Sequence, residues 1–144
     1  MGLNGYLDYE IFHGSFNADR FLLFVQRLLR KMNRAPGPRS VLILDNARIH
    51  HAPELKSMCE EAGVELAFLP PYSPDYNAIE ESFSGLKAWM RRNRELVDSF
   101  APFFEGYIHL AVMQSCSGQK ARQYFMSACV EVTDEDVDVD YSIL

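Results

Sequence analysis

Two acids and a short basic face carry the chemistry open to this chain of 144 residues. Asp45 ends the apolar run Val41-Leu42-Ile43-Leu44, and Glu80 follows Asn77-Ala78-Ile79 just beyond a proline-rich loop. Carboxylates are hard oxygen ligands suited to Mg²⁺ or Mn²⁺. A pair of such ions about 4 Å apart activates water or a 3′-hydroxyl and stabilises the leaving oxygen of a phosphodiester. Lys87 and Arg91 share the side of Glu80 if the chain is helical from Ala78, and from there they can hold a phosphate backbone. His50 and His51 have no Cys or His partner at a zinc spacing, so capping a helix or contacting a phosphate suits them better. Ser73 has no base arrangement for nucleophilic catalysis, and Asp75 and Tyr76 read as loop residues. A plainer reading stays open at this point. An Asp after a strand often serves a turn, and a Glu in a first helical turn complements the dipole.

The elements that must position these residues follow from periodicity. Residues 3–12, with Tyr6, Tyr9 and Ile11, read as strand, with Asn4-Gly5 as a turn joining two pieces. Ser15 or Asn17 caps a helix over Ala18 to Met32, with Phe21, Val25, Leu28 and Met32 on one stripe and a basic face elsewhere. Ala35-Pro36-Gly37-Pro38 ends it. Ser40 to Leu44 is a strand whose four successive aliphatics predict burial on both faces, as in a central parallel strand. A helix starting at His50 to Glu54 and closing at Gly63 leads to a strand over 64–69, which makes a parallel pair with a helical crossover. Asn77 caps a helix over Ala78 to Arg94, with Ile79, Phe83, Leu86 and Met90 spaced to pack on the sheet. Asp98 to Gln114 and Gly118 to Ala128 read as two more helices. Ligands of such parallel sheets bind beyond the C-terminal strand ends, where Asp45 stands.

Hydrophobic content of 48% and charged content of 24% are those of a globular chain whose length suits one domain. No apolar run approaches the roughly 20 residues of a membrane span, and the N-terminal residues do not read as a secretory signal. Three cysteines without a Cys-x-x-Cys pair favour reduced thiols and an intracellular setting. The net charge of −6 argues against nucleic acid until its distribution is seen. Residues 130–144 hold six acids and no base, which leaves 14 acids against 14 bases in the rest. That body, with basic clusters at Arg20 to Arg48 and Lys87 to Arg94, can bind phosphates locally. The expected layout is a folded body over 1–129 and a disordered acidic tail over 130–144. No glycine-rich phosphate loop supports a phosphatase or nucleotide hydrolase.

Leu42-Ile43-Leu44-Asp45-Asn46-Ala47-Arg48-Ile49-His50, followed by Leu69-Pro70-Pro71-Tyr72-Ser73-Pro74-Asp75-Tyr76-Asn77-Ala78-Ile79-Glu80, resembles the catalytic domain of mariner-like transposases and their bacterial insertion-sequence relatives. These are DDE superfamily endonucleases of ribonuclease-H-like, α/β fold. The 34 residues between Asp45 and Glu80 agree with the spacing of that family's second and third catalytic acids, and the resemblance spans residues 3–95. It implies Asp45 and Glu80 as catalytic, metal-binding carboxylates, with two Mg²⁺ or Mn²⁺ ions as cofactor. Asn46, Arg48, His50, Tyr72, Ser73, Lys87 and Arg91 become the expected nucleic-acid contacts. The implied activity is DNA cleavage and strand transfer in transposition and integration. Its partner is DNA, as transposon ends and target. The resemblance admits a homodimer, gives no role to a membrane, and places the protein in the nucleus of a eukaryote or otherwise in the cytoplasm.

Two departures qualify that resemblance. Ala78 stands where the family usually has Pro, and Asn77 still precedes the helix. The family's first catalytic Asp, on its central first strand, has no counterpart. Asp8 precedes Asp45 by only 37 positions, and residues 3–12 match the family's second and third strands instead. The chain is thus expected to begin after the first strand and to be weak or inactive alone. The alternative is a non-catalytic, transposon-derived DNA- or protein-binding remnant.

Overall fold

Two short aliphatic runs and the prolines between them set the layout. The computed structural model describes residues 1–133. The order is α1 (Ala18–Leu29), β1 (Val41–Leu44), α2 (Pro53–Ala62), β2 (Glu65–Phe68), α3 (Ala78–Arg92), α4 (Phe104–Ser115) and α5 (Gly118–Ser127), with 3-10 turns at Arg48–His51, Pro74–Tyr76 and Arg94–Phe100. These elements fall into two compact units, Phe12–Pro74 and Met1–Ile11 with Asp75–Thr133. Of the expected acidic tail, residues 130–133 carry no helix or strand, and residues 134–144 lie outside the described residues.

In the Phe12–Pro74 unit, Asn17 caps α1 as expected, its Oδ1 accepting the Arg20 amide at 3.0 Å. Phe21, Val25, Leu28 and Leu29 form the buried stripe, and α1 packs on α2. The helix stops at Leu29, short of Met32, because the Lys31 and Met32 amides tighten onto Leu28 and Leu29 ahead of the proline segment. Pro53 opens α2, and Gly63 closes it in the left-handed conformation at φ 72°. Leu55 and Cys59 are the buried face of α2.

The expected parallel pair is present. Leu42 lies opposite Leu66 and Leu44 opposite Phe68. Burial of β1 on both faces is not. Leu42 is buried, while Val41 and Ile43 on the other face are 42% and 48% exposed. A strand's alternate side chains need a layer packed on each face, and among the described residues only the Leu42 face of β1 is covered.

Residues 3–12, of which all but Phe12 belong to the other unit, are not strand. Gly2 and Gly5 close an antiparallel bridge, and Gly5 bridges to Ser117. Gly5 sits at φ 119°, and a Cβ there would meet the Cys116 carbonyl at 2.7 Å, so only glycine fits. Tyr6 and Tyr9 spend their β-favouring rings on helices instead, bonding Ser82 of α3 and His109 of α4 at 2.8 Å each. Side-chain anchoring has replaced ladder pairing.

The α3 helix differs from its expected stripe. Its buried residues are Ala78 and Ser82, whereas Phe83 is exposed. It packs on α4 and α5, where small residues admit close approach. It ends at Arg92, two residues early. The single helix expected over Asp98 to Gln114 is divided at Ala101-Pro102 into a 3-10 turn and α4. Tyr107 of α4 is fully buried among the rings of Trp89, Phe100 and Phe104, and its hydroxyl donates to the Met90 carbonyl at 2.8 Å.

Candidate active site

The parallel ladder determines where the first carboxylate stands. The Glu65 amide donates to Ser40 and the Leu69 amide to Leu44, each at 2.8 Å, so β1 and β2 end level with one another. Asp45 is the next residue, half-exposed at that C-terminal end. The Asn46 side-chain amide donates to the Leu69 carbonyl and ties the two strand-end loops together. Asp45 Oδ1 accepts the Ala47 amide at 2.9 Å, which forms a tight Asx turn. The 3-10 turn Arg48–His51 then brings His50 back, and its Nδ1 reaches Asp45 Oδ1 at 2.7 Å and the Asp45 carbonyl at 3.2 Å. Phe21 of α1 backs the imidazole, with ring centroids 4.6 Å apart. His51 turns the other way and stacks on Phe68 at 4.8 Å and 17°.

The remaining expected contacts in this unit are on open backbone. Arg48 is exposed. Tyr72 is fully exposed, at φ 57°. Ser73 donates its hydroxyl to the Pro71 carbonyl at 3.2 Å, within its own loop.

Glu80 belongs to the other unit. It lies in the first turn of α3, exposed, with its amide donating to the Asn77 carbonyl at 2.9 Å. Asn77 occupies the cap position, but its side chain makes no capping bond. Lys87 and Arg91 lie exposed on the same helix, seven and eleven positions on. Those offsets are close to two and three turns, so both share the side of Glu80.

Asp45, Asn46 and His50 are therefore joined through one strand-end network, with Arg48 on the turn between them. Glu80, Lys87 and Arg91 are arrayed along one helix face. Among the described residues no group of three or more His, Cys, Asp or Glu side chains is placed to hold a metal ion. The Asp45–His50 contact and the Phe21 backing were not read from the sequence. The signal available was an Asp and a His five positions apart, which becomes a contact only once a 3-10 turn is known to intervene.

Residues 1–100 match the family described as DDE superfamily endonuclease. The chain belongs to that family. The matched segment contains both Asp45 and Glu80 and ends before α4, so the two last helices lie outside it. No curated protein and no solved structure matches the chain. Membership of the DDE endonucleases implies DNA as substrate, and these enzymes generally use divalent metals. The mixed α/β architecture, with its small parallel sheet, is compatible with the fold of such enzymes. No helix of the described residues is long and apolar enough to cross a membrane.

Proposed function

We propose that this chain is a transposase-type domain of ribonuclease-H-like fold that acts in metal-dependent DNA cleavage and strand transfer. Asp45 and Glu80 are two of its catalytic carboxylates. The observation that carries this reading is the placement of Asp45. It is half-exposed at the C-terminal end of a parallel strand, and among the described residues both of its side-chain bonds fall on Oδ1. Among the described residues Oδ2 is thereby left for a cation.

The donor chemistry fits the implied ion. Mg²⁺ is held by one or two carboxylates together with substrate phosphates and water, and Asp45 and Glu80 supply such oxygens. When bound, a pair of ions would activate a water or 3′-hydroxyl and stabilise the leaving oxygen. The chain's own part is to orient and to bind. Asn46 locks the strand-end loops, which fixes the base of Asp45. Arg48, Lys87 and Arg91 offer exposed cations to phosphates. Tyr72 offers an exposed ring on which a base can stack. The ribonuclease-H-like fold of this reading also calls for a third carboxylate on a further strand.

A second reading, a non-catalytic DNA-binding remnant, is favoured by the lack of a three-member ligand cluster among the described residues. Mn²⁺ binding and nicking of supercoiled DNA by the 144-residue chain separate the two. The enzyme reading expects Mn²⁺ binding and at least weak nicking, each lost on Asp45→Ala and on Glu80→Ala. DNA retention without metal binding or nicking, unchanged in either variant, establishes the remnant. A homodimer on DNA would appear as a doubled mass in sedimentation.

A further inference from the structure

We propose that His50 is a positioning residue for Asp45, holding Oδ1 so that Oδ2 is the oxygen presented to a divalent cation. The proposal rests on Asp45 being a metal ligand and assigns a role to the imidazole that a phosphate contact would not require. Four contacts tie Asp45 and His50 into one turn. Nδ1 lies 2.7 Å from Oδ1 and 3.2 Å from the main-chain oxygen of the same residue, a forked donation that restrains the side chain and its own backbone together. The Ala47 amide holds Oδ1 from a second direction at 2.9 Å. The His50 amide closes the loop onto the Ala47 carbonyl at 2.9 Å, so donor and acceptor belong to one rigid turn.

The imidazole itself has little freedom. Its side chain is 17% exposed against 46% for Asp45, and the buried Phe21 ring lies 4.6 Å away at 35°. A half-exposed aspartate would otherwise sample several rotamers, and ordering it would oppose metal binding. Here that ordering precedes the metal. A histidine suits the task, because its ring places a hydrogen-bond donor on a short side chain with few rotatable bonds. The geometry demands the tautomer with its proton on Nδ1, since Oδ1 and the carbonyl can only accept.

Two measurements on the full chain test this. The first is the ¹⁵N spectrum of the His50 ring without metal, at a pH where the imidazole is neutral. The proton is expected on Nδ1 in the wild type, with a shift toward the Nε2 form in Asp45→Ala. The second is Mn²⁺ affinity by electron paramagnetic resonance. His50→Ala is expected to weaken it roughly 10- to 100-fold, the usual effect of removing a partner that orients a metal ligand. His50→Asn, whose amide nitrogen can stand where Nδ1 stands, recovers most of that loss. An Nε2 proton in the wild type, a tautomer indifferent to Asp45→Ala, or equal Mn²⁺ affinity in His50→Ala overturns the proposal. Mn²⁺ binding that is absent, or untouched by Asp45→Ala, overturns the metal role of Asp45 instead, and the nitrogen spectra then judge the pair alone.

Discussion

The Tyr6 hydroxyl donates to Ser82 Oγ at 2.8 Å, and Ser82 passes its own hydrogen to the Ile79 carbonyl at 2.6 Å. Ser82 is fully buried, so this relay ties the N-terminal segment to α3 out of reach of solvent. Tyr6→Phe keeps the ring and removes the donor. Ser82 still donates to Ile79, and the expected loss is about 1 kcal/mol, the net worth of one hydrogen bond. Urea denaturation of both proteins checks it, and unchanged midpoints would show that this bond adds nothing to the hold on the segment.

Alkaline pH should weaken the fold in a defined window. Burial pushes the Tyr6 and Tyr124 hydroxyls above their ordinary 10.0 and the Cys59 and Cys116 thiols above 9.0. The folded chain therefore keeps protons that the unfolded chain releases, so stability falls as pH rises between the unfolded and folded values. The contribution of these groups is complete below pH 9 and is lost as pH climbs through the raised folded values. Urea midpoints measured from pH 7 upward should be level at first and then decline, with a shallower decline in Tyr6→Phe. A flat profile to pH 11 counts against the burial of these groups.

How much of this was legible beforehand depended on whether the deciding contacts were local. The Asn17 cap, the Pro53 start and the Gly63 stop follow from residues within one turn of the helix ends, and all three stand. The parallel pairing of β1 and β2 was legible because a short helix between two aliphatic runs leaves few other arrangements. Residues 3–12 failed as strand because their partners are 76 and 100 positions away on helices, and β-propensity describes a pleated surface that those residues do not meet. The α3 stripe failed for a related reason. Periodicity located the large apolar residues, while α4 and α5 select the small ones, Ala78 and Ser82, for the buried face. At the site, Asp45 was expected at the end of a strand, and it stands there. Its partner His50 depends on the 3-10 turn, which has no period to read.

Core and surface leucines in the Phe12–Pro74 unit should respond very differently to the same truncation. Leu55 of α2 is essentially inaccessible, whereas Leu23 of α1 is largely exposed. Leu55→Ala removes buried methyl groups and leaves a cavity, for an expected loss of about 2–5 kcal/mol. Leu23→Ala should stay within about 0.5 kcal/mol of wild type. Thermal unfolding of the two variants measures the difference, and equal losses would contradict the assignment of α2 to the core.

Gly85 offers a sharper test, because one atom of one neighbour decides it. A Cβ at Gly85 would collide with the Tyr124 hydroxyl and approach Cζ of the same ring at 3.3 Å, where α3 and α5 pack. That hydroxyl is itself tied to the Ser115 carbonyl at 3.2 Å, so it does not swing aside freely. Alanine favours a helix over glycine by about 1 kcal/mol. The overpacking penalty of about 1–3 kcal/mol runs against it and should prevail. Gly85→Ala is therefore expected to destabilise, and Tyr124→Phe alone to cost about 1 kcal/mol for its lost bond. In the double variant the missing hydroxyl opens the space that the methyl needs. Its loss should then be smaller than the sum of the two single losses. Additive losses in this double-mutant cycle would mean that the ring and the glycine are not in contact.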